Sequence, residues 1–442
     1  MGTIAEPVPN VPKNEATGRW TMSARVAFRF GFCYWLLYCL PERGRISLID
    51  GIPGGYYVTR PYVWLWHKFT PWTAIHLFHL SGSRTTYIPT GSGDTTLDYV
   101  QIFLFVVTSA IVTALWSLLD RKRKEYVTLY AWLHILVRLT LSMTLLSYGL
   151  AKIIPTQFSP PTLAQLTETY GEASPMGLLW TFMGASTPYV IFAGLAESTA
   201  AVLLLFRRTT LLGAMAAAAV MLNVAMLNYC YDVPVKLYST NLLLMSLFLM
   251  LPDTGKLVNV FVLNRAVLPS EPAAPRLPKQ WMRIGATVLK LSLFAYFVVT
   301  NVWESWSHLR EIQNGSTAPI YGAYNVDSIK QTGQSVQTSV HDTNSIRLIL
   351  CEHGFWMIRK MDGTALYLQP HFDEKSSIVD LYSWKTKAHS KLNYRQTDAQ
   401  HLVLLGMMES ENVEIRMHKI DAKQFLLTSR GYHWINELPF NR

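Results

Sequence analysis

The sequence predicts a mainly α-helical polytopic membrane bundle followed by a C-terminal all-β extramembrane domain, and three observations predict it. Half of the 442 residues are hydrophobic and only 15% are charged, with a mean hydropathy of +0.17. Those proportions are too apolar for a soluble chain of this length. About seven stretches before residue 305 are long enough to cross ~30 Å of hydrocarbon, which takes roughly 20 residues. After Trp306 the hydrophobic period shortens to two, as strands require.

The predicted spans are 24–40, 99–119, 127–154, 188–206, 211–229, 237–251 and 284–302. The first and sixth are short, and the first carries Arg25 and Arg29, long side chains that can snorkel to a surface. The polar, proline-bearing N-terminus lacks the basic and apolar regions of a cleavable signal, so the first membrane helix serves as its own insertion signal.

The formal charge of +10 invites a nucleic-acid reading, but the basic residues sit in short loops beside apolar stretches, where they set orientation instead. "DRKRK" at 120–124, Arg207 with Arg208, and the basic linker 256–283 all fall on one side. That side is expected to be cytoplasmic, with residues 1–20 as a cytoplasmic tail. The loops 41–98 and 155–187, the turn "YCYDVPVK" and the domain 306–442 then face outward.

In the 155–187 loop, Ser159 and two prolines predict a helix closed by Gly171, and Ser174, Pro175 and Gly184 repeat the pattern. Such short helices would roof the outer end of the bundle. The aromatic stretch 62–80 is too polar to span and reads as a surface-lying or re-entrant element. In the last domain, "SIRLIL", "FWMIRK", "IVDLYSW", "HLVLLGMM", "VEIRMHKI" and "QFLLTSRGYHWI" read as strands. About eight strands suit a small antiparallel barrel or sandwich. The closing cluster of Arg430, Tyr432, His433, Trp434, Glu437 and Arg442 reads as a last strand with Trp434 packed inside, or as a ligand site.

Polar residues inside the apolar spans mark candidate chemistry. In the third span His134, Arg138, Ser142, Gly149 and Lys152 fall on one stripe at ~100° per residue, with Arg138 and Lys152 roughly 21 Å apart along the axis. Glu197 lies mid-span in the fourth segment and needs a partner, for which Arg138 is the expected one. Asn223, Asn228, Asp232 and Lys236 continue the polarity outward and, with Lys152, would line one pocket. Interhelical hydrogen bonds and a solvated turn are the plainer account of the same residues. Asp94 reads as part of a helix cap, with pocket lining as the alternative. Four scattered cysteines (Cys33, Cys39, Cys230, Cys351) and the histidine pattern write no metal, haem or flavin motif.

The motif Gly149-Leu150-Ala151-Lys152, within "YGLAK", resembles the helix end typical of the DoxX-like membrane family, over about residues 127–253. The resemblance implies a helical core in a bacterial inner membrane, which would make the outward-facing β domain periplasmic, and a link to quinone-coupled oxidation of sulfur compounds. A more distant likeness, to the membrane domain of vitamin K-dependent gamma-carboxylases, implies that Lys152 acts as a base beside a reduced quinone. A lysine does so only if desolvation brings its pKa toward operating pH. The expected function is therefore quinone-linked redox chemistry at the outer membrane face. The alternative is a non-enzymatic accessory or structural subunit whose β domain docks on a larger membrane complex or an envelope protein.

Overall fold

The computed structural model describes residues 20–40, 46, 49, 52, 54–267, 278–315, 320–331, 334–337, 346–352, 354–373, 375–408 and 411–439. The chain forms two compact units, Met1–Gly149 with Leu195–Thr300, and Leu150–Gly194 with Asn301–Arg442.

Twelve α-helices occur among the described residues: α1 (Met22–Cys39), α2 (Gly55–His76), α3 (Thr96–Leu119), α4 (Val127–Ile153), α5 (Leu163–Thr167), α6 (Pro175–Gly184), α7 (Thr187–Leu205), α8 (Thr210–Cys230), α9 (Lys236–Met250), α10 (Thr254–Phe261), α11 (Gln280–Gly315) and α12 (Leu426–Ser429). Six helical stretches are long and apolar enough to cross a membrane, built on α3, α4, α7, α8, α9 continuing into α10, and α11. These coincide with six of the seven predicted spans. The remaining one forms α1, an 18-residue helix outside that set of six. Arg25 and Arg29 are the reason for its lower apolarity.

Arg29 is buried rather than snorkelling. Its guanidinium donates to the Tyr126 hydroxyl (2.6 and 2.9 Å), to Ser117 Oγ (2.7 Å) and to the Asp120 carbonyl (2.9 Å), while Tyr126 donates to Asp120 Oδ2. A charge so fully satisfied ties α1 to the basic turn between α3 and α4. The aromatic stretch 62–80 lies mostly in α2, a 22-residue helix that contains Pro61 and Pro71. Thr59, Trp66, Thr70 and Ala74 face inward, while Trp64, Leu65, Phe69 and Trp72 are exposed.

Among the described residues of the second unit nine strands follow: β1 (Gly322–Gln331), β2 (Gln334–Gln337), β3 (Ile346–Cys351), β4 (Trp356–Lys360), β5 (Ala365–Asp373), β6 (Ile378–Tyr382), β7 (His389–Gln396), β8 (His401–Met408) and β9 (Glu411–Lys419). They pair antiparallel in the order β2-β1-β3-β4-β5-β6-β7-β8-β9, and β1 also pairs with β9. That last pairing closes an eight-strand antiparallel barrel, with β2 a hairpin extension of β1, and closure removes the exposed edges of an open sheet. Trp356, Ile349, Val379, Leu381, Leu392, Leu404 and Ile415 fill its interior. At Gly406, φ is +155° and an added Cβ would stand 2.2 Å from the Lys391 carbonyl, so only glycine lets β7 and β8 approach there.

Two readings of the C-terminal region are corrected. "QFLLTSRGYHWI" is not a strand, since it folds as a short 3-10 turn and then α12. Its apolar triplet Phe425, Leu426, Leu427 is too short to show a period of two. Trp434 is 86% exposed instead of packed inside, and Trp356 on β4 holds the central place. Arg442 lies outside the described residues.

The loop before α7 belongs to the barrel's unit and is gripped by it. The predicted cap at Ser159 is instead made by Thr162, in a reciprocal pair with Gln165, because two prolines at 160 and 161 hold the chain extended before it. The resulting five-residue α5 packs Leu163 and Ala164 on an outer barrel patch of Ala323, Leu348, Leu350 and Met357. Glu352 Oε1 accepts from the Ala164 amide at its N-terminal end (3.3 Å), and Arg359 Nη1 donates to the Thr167 carbonyl at its C-terminal end (2.8 Å). An acid at the positive end and a base at the negative end match the helix dipole. By contrast, α6 follows its prediction: Ser174 caps it through the Gly177 amide (3.0 Å), with Pro175 in its first turn. A side chain at Gly184 would collide with the Ser159 carbonyl at 2.1 Å, so this glycine permits the loop to close on itself.

Candidate functional site

The α4 stripe faces the interior, and its apolar window is 61% buried, the largest share of the six candidate spans. Arg138, Ser142 and Lys152 are buried, and His134 is partly so. Each polar group on it within the first unit finds a separate partner. The His134 ring meets the Tyr130 ring (centroids 6.0 Å apart), Arg138 Nη1 donates to Thr210 Oγ1 (3.1 Å), and Ser142 donates to the Ala201 carbonyl (2.7 Å). The expected Arg138–Glu197 pair is thus replaced by an Arg138–Thr210 bond among the described residues. Glu197 is buried on α7.

The outward polar residues divide. Asn228 is buried and donates to Ser239 Oγ (3.0 Å), an interhelical bond of the plainer kind. Asn223 is exposed on α8, at a position the helix turns away from the packed side. Asp232, Lys236 and Asp94 do converge. Lys236 Nζ lies 2.7 Å from Asp232 Oδ1 and 3.9 Å from Asp94 Oδ2. The side chain of Asp94 is largely buried and accepts from the backbone amides of Lys236 (2.7 Å) and Leu237 (2.9 Å). It therefore caps α9, from a distant part of the chain, and not its own helix. Thr95 and Asp98 form the reciprocal cap that starts α3.

Beside this cap lies a cavity of about 610 Å³, within the roughly 300–1,000 Å³ of small-molecule sites. Half of its lining comes from the strap at 87–95, and the rest from the ends of α1, α3, α4 and α9. Four tyrosines, Tyr38, Tyr87, Tyr148 and Tyr238, reach it, with Gln101 and Asp98 on the first turns of α3. No lysine, arginine or histidine is among the lining residues. The rings are held in place by neighbours: Tyr38 stacks on Tyr34 (6.0 Å), Tyr87 on His67 (4.3 Å), and Tyr148 meets Tyr238 (6.1 Å). Tyr34 in turn donates to Asn241 Oδ1 (2.6 Å). The wall thus offers phenol and amide groups around apolar Ile88, Pro89, Ile102, Val235 and Leu237.

Sequence reasoning found the rim, at Asp94 and Lys236, and missed the tyrosines. Tyr148 stood inside the "SYGLAK" stretch, and tyrosines near the ends of three other elements were a signal that single-span periodicity does not register. Lys152 belongs to the second unit, where its side chain is buried and Nζ lies 5.9 Å from the Phe158 ring centroid. Helix α4 ends at Ile153, just before Pro155, as the proline dictates. Among the described residues no cluster of three or more His, Cys, Asp or Glu side chains is placed to hold a metal ion.

Fold and cavity together define a polytopic helical protein with an appended β-barrel and a tyrosine-walled pocket at helix ends. The chain belongs to the same family as the uncharacterized protein YwoB of Bacillus subtilis (strain 168), to which it is 38% identical over 124 residues. That stretch is 28% of this chain and 79% of the relative, so the relative is much the shorter protein. No family profile matches the chain. No solved structure matches it either.

Proposed function

We propose that this is a DoxX-like protein of a bacterial inner membrane that binds a quinone head group in the tyrosine-walled cavity, at the periplasmic membrane face, in a redox-linked role. The observation that carries the reading is the cavity's chemistry: phenol and amide hydrogen-bonding groups set in apolar walls, with no cationic side chain. A quinone ring needs such flat contact and such donors to its oxygens. The orientation follows from the loops. The cavity is built at the end of α3, α4 and α9 opposite the basic stretches at 120–124 and Arg207 with Arg208, the side that favours the cytoplasm.

Organic extraction of the purified protein, followed by chromatography, tests the reading. A near-stoichiometric quinone in the parent, and its loss in Tyr148→Phe/Tyr238→Phe with an unchanged melting temperature, are expected. A parent protein that carries and binds no quinone overturns it. Labelling of a cysteine placed at exposed Lys385 from outside intact cells tests the orientation, and failure to label overturns it.

A second reading, an accessory subunit that docks through its β domain, draws on the exposed Tyr432, Trp434, Ile435 and Leu438 near the C-terminus. Stoichiometric copurification with a membrane complex, lost when these four are replaced by serine, would favour it.

A further inference from the structure

We propose that the strap at 87–95 is a latched wall of the cavity and that Asp94 is its latch, a positioning residue that governs access. This inference rests on the reading of the cavity as a ligand site.

Half of the cavity's lining residues lie on this strap, so the cavity has this wall only while the strap is seated. The strap is not a regular element and is held at two places. At its start Tyr87 stacks on His67 of α2. At its end the Gly93 amide donates to the Pro234 carbonyl (2.8 Å), and the Asp94 carboxylate takes the first two amides of α9. These last contacts concentrate on one carboxylate what a helix start otherwise takes from its own N-cap, and α9 has no side-chain cap of its own at Val235. The helix start and the strap thus satisfy each other, and neither is complete when they part. Lys236 adds charge compensation on the same oxygen side, bridging Asp94 and the exposed Asp232. Two amides and one ammonium thus face the Asp94 carboxylate. A ligand entering past the strap must break these bonds together, which makes opening an all-or-none event of low population.

The test needs no knowledge of the ligand. In full-length protein carrying Cys230→Ser, the cavity-lining Ile102 is replaced by cysteine (Ile102→Cys), and alkylation of the new thiol by a small maleimide is timed. Slow alkylation is expected in this parent, about tenfold faster alkylation with Asp94→Ala, an intermediate rate with Asp94→Asn, and no change with Asp232→Ala. Asp94→Asn, which keeps a neutral acceptor, preserves the test if the alanine variant does not fold. Equal rates in the parent and in the folded Asp94 variants overturn the latch. Separately, a fully ring-substituted short-chain ubiquinone analogue, which leaves no ring C–H position for a thiol to add to, should reversibly slow alkylation of the introduced thiol in the parent. If it does not, the quinone reading fails, while the latch is judged on the ratio of rates alone.

Discussion

The barrel and the helical unit differ in which polar side chains they bury and which apolar ones they expose. Inside the barrel are Trp356, Ile349, Leu381, Leu404 and Ile415, and its charged residues face outward. Inside the helical unit are Arg29, Arg138, Ser142, Asn228, Asn241 and Ser246, while Ile111, Leu115, Leu212, Leu222 and Leu244 point outward. The barrel is assembled as water assembles a domain, by removing apolar surface. The helices expose the surface that water would hide, and hold together by small residues, close packing and hydrogen bonds, as helices do where lipid is the solvent. The six helices long and apolar enough to cross a membrane occur in the unit with that apolar exterior.

That contrast can be broken or sharpened by mutation. The largest effect is expected in the barrel. Trp356→Ala should cost about 3–5 kcal/mol and expose the barrel to limited proteolysis. The Trp356 indole nitrogen has no hydrogen-bonding partner among the described residues, so Trp356→Phe should cost far less. A comparable loss in both variants would show that the indole is not held by packing alone.

Next comes Thr210→Val, which leaves the buried Arg138 guanidinium without its acceptor and should cost about 1–3 kcal/mol in thermal unfolding. If the helical unit instead gains stability, its interior is ruled by apolar burial as the barrel's is. Smaller still is the Asn228–Ser239 bond, for which a double-mutant cycle with alanines should give a coupling of about 0.6 kcal/mol.

The smallest effect concerns pH and the clasp on α5. Burial raises the Glu352 carboxyl above its ordinary 4.5, although the Ala164 and Leu163 amides pull it down. The folded state then holds the proton more tightly than the unfolded state. The stabilisation is full below pH 4.5 and is lost as pH rises through the raised value. Unfolding of the full-length protein followed from pH 4 upward should show this decline, and Glu352→Gln should flatten it. A decline of the same size in the glutamine variant would assign it elsewhere.

Most of the architecture was legible because burial imposes a period. The long spans, and β3, β4, β6, β8 and β9, each repeat their apolar residues at the spacing of their backbone. Strands β1, β5 and β7 escaped because "GAYNVDSIKQ", "ALYLQPHFD" and "HSKLNYRQ" are polar on the water side, and Pro370 interrupts β5. After the exposed Arg347, however, β3 is apolar on both faces, because its outer face is covered as well, by α5. The candidate site was legible only at its rim. Asp94 looked like the start of its own helix, and nothing local shows that its carboxylate serves a helix 142 residues later.

The sequence by itself determined the solvents of the two regions and the kind of element each segment forms, because hydropathy and period are local properties of consecutive residues. The tertiary structure alone decided the partners: Thr210 for Arg138, α9 for Asp94, four tyrosines around one cavity, and β9 beside β1. Hydrogen bonds and cavities depend on which helix faces which, and that is set by the packing of whole elements rather than by any one of them.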